Sequence, residues 1–441
     1  MKKALILTVL GGLVSAVSTQ AQVNIHIAGS TAFRANVYRA VYNAFDGGAP
    51  TAKFPSSISG STGTYTVQGT ISNVFGSNLV TVYALFDGSV RGLADINNGA
   101  NLNYLTLSGG TNAATPDFTM CDVDKVSTLF PQAPTTELPV AILPFVYVRS
   151  YSAPTNFVNV TGHQMKDLFA SANGYLSTSY FTSNTNDDTS STPYVYVTGR
   201  NKDSGTRVTG DADSYAGATS PTFWGTNTSG AVNQWAVMNQ YLSAAPSGKP
   251  SSFYGFGFAS GGNEAGALAF ANTSITNSTV VLSNGVPVGT NYTTNLVAAV
   301  GYLGLADALA AVGTASSTGV TGAKGNCAVL TYDGVFPFLG YTNGISTNVP
   351  ANPDFTPIKN GQYSLWSYEN VELSNSHTNT TDAVYQYVTN MISLIDSDIA
   401  NAQTAGGNNS AYGGAVTAVR LTDMKVGRTF VGGPVDASYK K

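Results

Sequence analysis

The chain is short of charge. Asp, Glu, Lys and Arg make up 10% of its 441 residues, 20 basic against 24 acidic. The formal net charge is −4, and loss of Lys2 and Lys3 would take it to −6 (−4 − 2). A general nucleic-acid binder needs a basic face, so this balance argues against one. Cysteine is almost absent, with Cys121 and Cys327 alone. That excludes a disulfide scaffold and leaves open either one bridge in an oxidising compartment or two separate buried thiols. The three histidines, His26, His163 and His377, are scattered and show no metal-ligand spacing. There is no G-x-S-x-G, no Walker A and no H-E-x-x-H. "GFGFASGG" holds a Gly-x-Gly but not the rest of a dinucleotide fingerprint. No catalysis, metal or cofactor is expected from these residues.

Long apolar runs are missing too, except at the start. Lys2 and Lys3, the stretch "ALILTVLGGLVSAV", and Thr19 and Ala21 at the −3 and −1 positions read as a secretory signal cleaved near Ala21. The apolar part is too short to span a bilayer comfortably, and no later segment replaces it. The expectation is a periplasmic or secreted protein. The remaining 420 residues (441 − 21) are enough for two or three domains with cores. A hydrophobic content of 43% marks the chain as globular, while 47 glycines mark it as rich in loops.

What is present is an alternation of strand-like and helix-like segments, which predicts an α/β fold with mostly parallel sheets. "VNIHIA" is a strand ending in Gly29-Ser30-Thr31, after which Phe33, Val37, Ala40, Val41 and Ala44 recur at helical spacing. A strand from Leu79 to Phe86 runs into Asp87-Gly88-Ser89, and "DFTMCDVD" is a third strand-to-turn. "LPVAILPFVYVRS" is a β-rich apolar run, and Thr161 is a candidate N-cap for a helix carrying Met165, Leu168 and Phe169. "LVAAVGYLGLADALAA" is a strand leading into a helix, and "TTDAVYQYVTNMISLIDSDIA" is an amphipathic helix. Polar tracts at Ser56–Gly76, Asn97–Thr115, Ser177–Ser191, Asn272–Asn295 and Asn401–Gly414 read as loops.

Three strand-to-helix turns carry small hydroxyl or glycine residues: Gly29-Ser30-Thr31, Gly88-Ser89 and Ser204-Gly205-Thr206. A helix N-terminus has unpaired N–H donors and partial positive charge, so it suits an anion. Ser and Thr also cap helices for structural reasons alone. Three such turns, one with Arg200 four residues before Ser204, favour an anion seat in a chain this poor in charge.

These segments resemble one family in order. "IAGSTAFRANVYRAV", "GSVRGLADINNG", "DFTMCDVD", "RNKDSGTR", "GGNEAGALAFA" followed by "AVGYLGLADA", and "YSLWSYENV" resemble successive motifs of the periplasmic phosphate-binding proteins of ABC transporters. The resemblance implies an α/β, two-lobed type 2 periplasmic-binding-protein fold with a ligand cleft between lobes. Residues 22–137 and 307–441 would form one lobe, and 138–306 the other. It also implies a site. Thr31 and Ala32 would offer a hydroxyl and a backbone N–H. Ser89 would cap its helix and donate to the ligand, and Asp122 would accept from it. Arg200 would give the charged contact, and Ser204, Gly205 and Thr206 hydroxyls and N–H groups. Lys202 and Asp203 are expected at the rim, and Arg207 either pairs with an acidic neighbour or faces solvent. The ligand would be phosphate or a related small oxyanion, the partner an inner-membrane ABC permease, and the acting form a monomer. The rival expectation is a secreted or surface binding protein that keeps the fold and takes another ligand.

Overall fold

The computed structural model describes residues 22–150, 152–189, 193–214, 221–226, 235–237, 257–270, 298–312, 327–340, 345–346, 353–404 and 417–440. The expected signal segment, the tract 272–295 and most of 401–414 lie outside them.

One strand organises the molecule. Thr135–Arg149 is the "LPVAILPFVYVR" run, and it changes partners at Pro144/Phe145. Its first part pairs antiparallel with Trp366–Ser374, from Thr135↔Ser374 to Pro144↔Trp366. Its last part pairs antiparallel with Ala298–Gly304, from Phe145↔Gly304 to Arg149↔Val300. The first ladder slips opposite Glu369/Asn370, where Ala141 and Pro139 are the paired residues. Proline has no N–H to give the ladder, and a bulge is where a strand tolerates one.

The two partners extend the sheet in opposite directions. Beyond Trp366–Ser374 come Phe118–Cys121, Gln22–Gly29, Leu79–Leu85, Thr64–Thr70 and Ala52–Phe54. Beyond Ala298–Gly304 come Tyr194–Val197 and Tyr175–Ser177, while Ala328–Tyr332 pairs with the end of the long strand. The α/β class is therefore as expected, but the sheet is mixed rather than mostly parallel. Gln22–Gly29 runs parallel to Leu79–Leu85 and to Phe118–Cys121, whereas the three ladders of the long strand are antiparallel.

The helices bury the faces that their periodicity announced. Val37, Ala40, Val41 and Ala44 of helix Arg34–Ala44 are in the core with Val388, Met391 and Ile395 of helix Ala383–Thr404. Thr161 forms a full capping box with Gln164, and Met165, Leu168 and Phe169 are buried. Two expected loops contain strands. Thr64–Thr70 lies within the polar tract 56–76, with Tyr65 and Val67 fully buried. The tract 97–115 contains a hairpin, Leu102–Leu105 against Thr111–Ala114. Threonine and tyrosine favour a pleated surface, a preference that polar composition hides.

Candidate functional site

The sheet gathers the candidate residues by a simple device. Gln22–Gly29, Leu79–Leu85 and Phe118–Cys121 are neighbours running the same way, so their C-terminal ends come out on one side. Thr31 and Ala32 follow the first end, Ser89 the second and Asp122 the third. Arg200 and Ser204–Thr206 follow Tyr194–Val197, which is parallel to Ala298–Gly304 in the other half of the sheet. The carboxyl ends of parallel strands are where open α/β sheets hold ligands.

The eight expected residues are all buried, and hydrogen bonds join those from the two halves. Asp122, 2% exposed, is the meeting point. Its Oδ1 accepts from the Ser89 hydroxyl, and its Oδ2 accepts from Thr206 Oγ1 at 2.7 Å. Thr209 Oγ1 donates to the Asp122 carbonyl at 3.2 Å. Gly205 shows why this position carries no side chain. A Cβ there would sit 2.0 Å from Asp122 Oδ1 and 3.0 Å from Ser89 Cβ.

Arg200 crosses from the other half. Its Nη2 donates to Thr31 Oγ1 at 3.1 Å and to the Ala259 carbonyl at 3.0 Å, and its Nε donates to the Phe258 carbonyl at 3.1 Å. Its buried Nη1 has no partner. A buried guanidinium N–H without an acceptor is costly and marks a place for one. Burial pulls this guanidinium below its ordinary pKa, while Asp307, Glu264 and Asp122 hold it up.

Some expectations need correction. Ser89 is not the cap of its helix. Gly88 is, at φ 128°, where an L side chain would be strained, and a Cβ on it would fall 2.3 Å from the Asp203 carbonyl. Ser89, the first helical residue, turns its hydroxyl to Asp122 instead. Ser204 does cap its helix, accepting from Arg207 N at 3.3 Å. Asp203 is not at the rim. It is buried, and its carbonyl accepts from Val90 N at 3.1 Å and Arg91 N at 3.4 Å, whereas Lys202 is exposed. Arg207 pairs with Asp211 at 3.5 Å and lies 5.1 Å over the Phe223 ring. Cys121 and Cys327 are both free and buried, and burial pushes the Cys121 thiol well up, away from a nucleophilic thiolate.

Two acids near Arg200 had no assigned role. Glu264, on helix Gly261–Phe270, is fully buried, and its Oε1 lies 2.6 Å from where a Cβ on Gly301 would be. Burial pushes its pKa up to about 8, with Asp307 adding to the rise and Arg200 opposing it. Asp307 is also raised by burial, against the pull of Arg34 and Arg200, and its Oδ2 fills the space a Cβ on Gly261 would need. The signal was in the sequence: Glu264 is a single charge within the otherwise uncharged, mostly apolar "GGNEAGALAFA".

A void of about 10 Å³ lies beside Arg200, between Thr206, Arg207, Phe223 and Tyr302, and is roughly the size of one water. Among the described residues, no group of three or more His, Cys, Asp or Glu is arranged to hold a metal ion.

No family model and no curated protein matches the chain. Among solved structures it is similar to a chain described as a phosphate ABC transporter substrate-binding protein, with bound phosphate, from Clostridium perfringens. The identity there is 12% and the TM-score 0.41, over 90% of this chain and 99% of that one. It is also similar to an ABC-type phosphate transport receptor from Vibrio cholerae, at 12% identity and a TM-score of 0.40, over 87% and 98% of the two chains. Likeness at this level fixes no ligand and no residue role.

Proposed function

We propose that the chain is an exported solute-binding protein that holds a small oxyanion, phosphate first, where Thr31, Ala32, Ser89, Asp122, Arg200 and Ser204–Thr206 meet. The observation that carries this reading is the buried Arg200 Nη1 without an acceptor, set beside the Thr31, Ser89 and Thr206 hydroxyls and the start of helix Gly205–Asp213. Hydrogen bonds to a charged group contribute about 1.5–3 kcal/mol each. Several converging on one anion would offset its desolvation in a protein with few basic residues.

Asp122 gives the selectivity. A buried carboxylate repels an oxyanion unless the anion brings a proton to donate. Each carboxylate oxygen has two acceptor positions, so Asp122 can keep its serine and threonine donors and still take one more. Phosphate near neutral pH carries such a proton and sulfate does not. A site built around that bond rejects the analogue lacking it by about 10⁴–10⁵.

Ligand entry requires the walls to part, because they are hydrogen-bonded to one another. The proposed lobes follow the two halves of the sheet, with the hinge in Thr135–Arg149 near Pro144. Ala328–Tyr332 then goes with the second lobe, and the return to the first comes after it rather than at residue 307. The proposal includes cleavage near Ala21, a periplasmic or secreted location, action as a monomer, delivery to an ABC permease, and no catalysis. Calorimetry of the mature protein, stripped of bound ligand, against phosphate and then sulfate at neutral pH tests it. Tight phosphate binding with little sulfate binding is expected. Binding of neither would refute the oxyanion reading and leave the protein that keeps the fold for another ligand.

A further inference from the structure

We propose that Arg428–Gly433 is a strap that positions the walls of the cleft from behind, and that its loosening speeds ligand release. Val431 shares a small apolar cluster, separate from the main core, with Val90 and Val123, and Phe130, Val208 and Ala212 pack against it. The valines of that cluster sit beside the site. Val90 follows Ser89, Val123 follows Asp122, and Val208 is two residues past Thr206 on the same helix. One patch of apolar contact therefore joins the elements that converge on Asp122.

Arg428 anchors the strap. Its side chain is 1% exposed, and its Nη1 donates at 3.1 Å to Asp213, the last residue of helix Gly205–Asp213. The guanidinium lies 4.3 Å over the Trp366 ring, and its Nη2 donates to the Ser364 carbonyl. It thus ties the helix that starts at the anion seat to the strand that pairs with the hinge. Tyr302 completes the anchor, donating to the other Asp213 oxygen at 2.8 Å. Gly432, at φ 74°, lets the strap lie on the helix end, where a Cβ would be 2.8 Å from the Ala212 carbonyl. The strap is a closed loop: Gly427 N donates to Asp436 O at 2.8 Å, and Asp436 N returns to Gly427 O at 2.9 Å. Gly205 leaves so little space against Asp122 that a small shift of this helix changes the site.

The inference rests on the cleft being a ligand site, so its test has two arms. In the mature full-length protein, Val431→Ala is compared with wild type by amide hydrogen exchange and by stopped-flow release of phosphate. Exchange is expected to rise about tenfold together in segments 89–91, 122–124 and 205–209, with 383–404 unchanged. Phosphate release is expected to quicken about tenfold while the association rate changes less than about twofold. Arg428→Lys, which keeps the charge but loses the planar fork, should give the same pattern more weakly. A rise confined to the neighbourhood of residue 431, or spread over the whole chain, overturns the strap. So does faster exchange in the three segments with unchanged release from a protein that binds phosphate. If phosphate does not bind, the ligand reading fails, and the exchange arm still decides whether the strap positions the walls.

Discussion

The two halves of the molecule bury a carboxylate near Arg200 in opposite ways. In the first half Asp122 is surrounded by hydroxyls, and each of its oxygens accepts from one, Ser89 or Thr206. In the second half Glu264 has no hydroxyl. Its oxygens lie near the backbone N–H of Tyr302 without a hydrogen bond of good geometry. Burial disfavours the charged form of Glu264, and no hydroxyl offsets it. Glu264 instead keeps its proton, with a pKa of about 8. At neutral pH its carboxyl is therefore mostly uncharged and does not repel an anion held by Arg200. The difference shows how a cleft can contain several acids and still favour an anion: one acid stays an acceptor by design of its neighbours, and the other is neutralised by its lack of them.

Removing the acceptor breaks this contrast most strongly. Asp122→Asn should collapse the preference for phosphate over sulfate, of about 10⁴–10⁵, toward parity, as read by calorimetry with both anions. Unchanged selectivity would remove Asp122 from the discriminating role. Removing the shared cation comes next. Arg200→Ala should weaken phosphate binding about a hundredfold, since it deletes a buried charged donor. It should also remove a cation that acts on both Glu264 and Asp307, so both acids would hold their protons to higher pH, Asp307 less so because Arg34 remains.

Glu264→Gln sharpens the contrast without touching the hydroxyl side. The pKa of Glu264 is raised on folding from 4.5 to about 8, so between those values the native state holds more protons than the unfolded chain. Stability from this group is then greatest below pH 4.5, falls as pH rises through the window, and is fully lost above about 8. The slope is at most about 1.4 kcal/mol per pH unit. Asp211 (about 7), Asp213 (about 6) and Glu372 (about 8) are raised by burial in the same direction. The test is therefore the difference between variant and wild type in denaturant melts at pH 5 and pH 9. Glu264→Gln should gain about 4 kcal/mol on wild type between the two. Parallel pH profiles would show that Glu264 is ionised already at pH 5.

The hydroxyl side was the more legible in sequence. Gly29-Ser30-Thr31, Gly88-Ser89 and Ser204-Gly205-Thr206 each announce themselves as strand, small residues, then helix, and Asp122 ends a recognisable strand. Local rules suffice there because a turn and a helix start are built from adjacent residues. The remaining features depend on residues far apart. Asp203 was expected at the rim, and only the approach of Val90 and Arg91, more than a hundred positions earlier, buries it. Ser89 was expected to cap its helix, and the contact with Asp122 redirects it. Glu264 and Val431 show nothing locally that points to Arg200 or to Val90. The strand Thr64–Thr70 escaped because its ladder partner, Leu79–Leu85, supplies the apolar context that its own sequence lacks.

The smallest expected effect belongs to Ser89→Ala, and it tests whether hydroxyls distinguish the two acids. Loss of this donor leaves the Asp122 carboxylate with the Thr206 hydroxyl, and costs about 1 kcal/mol in stability. The same change removes the acceptor of the Asp122 backbone N–H, at 3.2 Å, so the carboxylate loses both a donor and a support for its position. Phosphate binding should weaken by about fivefold, with part of the preference over sulfate lost, as read by calorimetry with both anions. If affinity and selectivity both match wild type, the Ser89 hydroxyl is not what holds Asp122 as an acceptor. The contrast with Glu264 would then have to rest on Thr206 and the start of the Gly205–Asp213 helix alone.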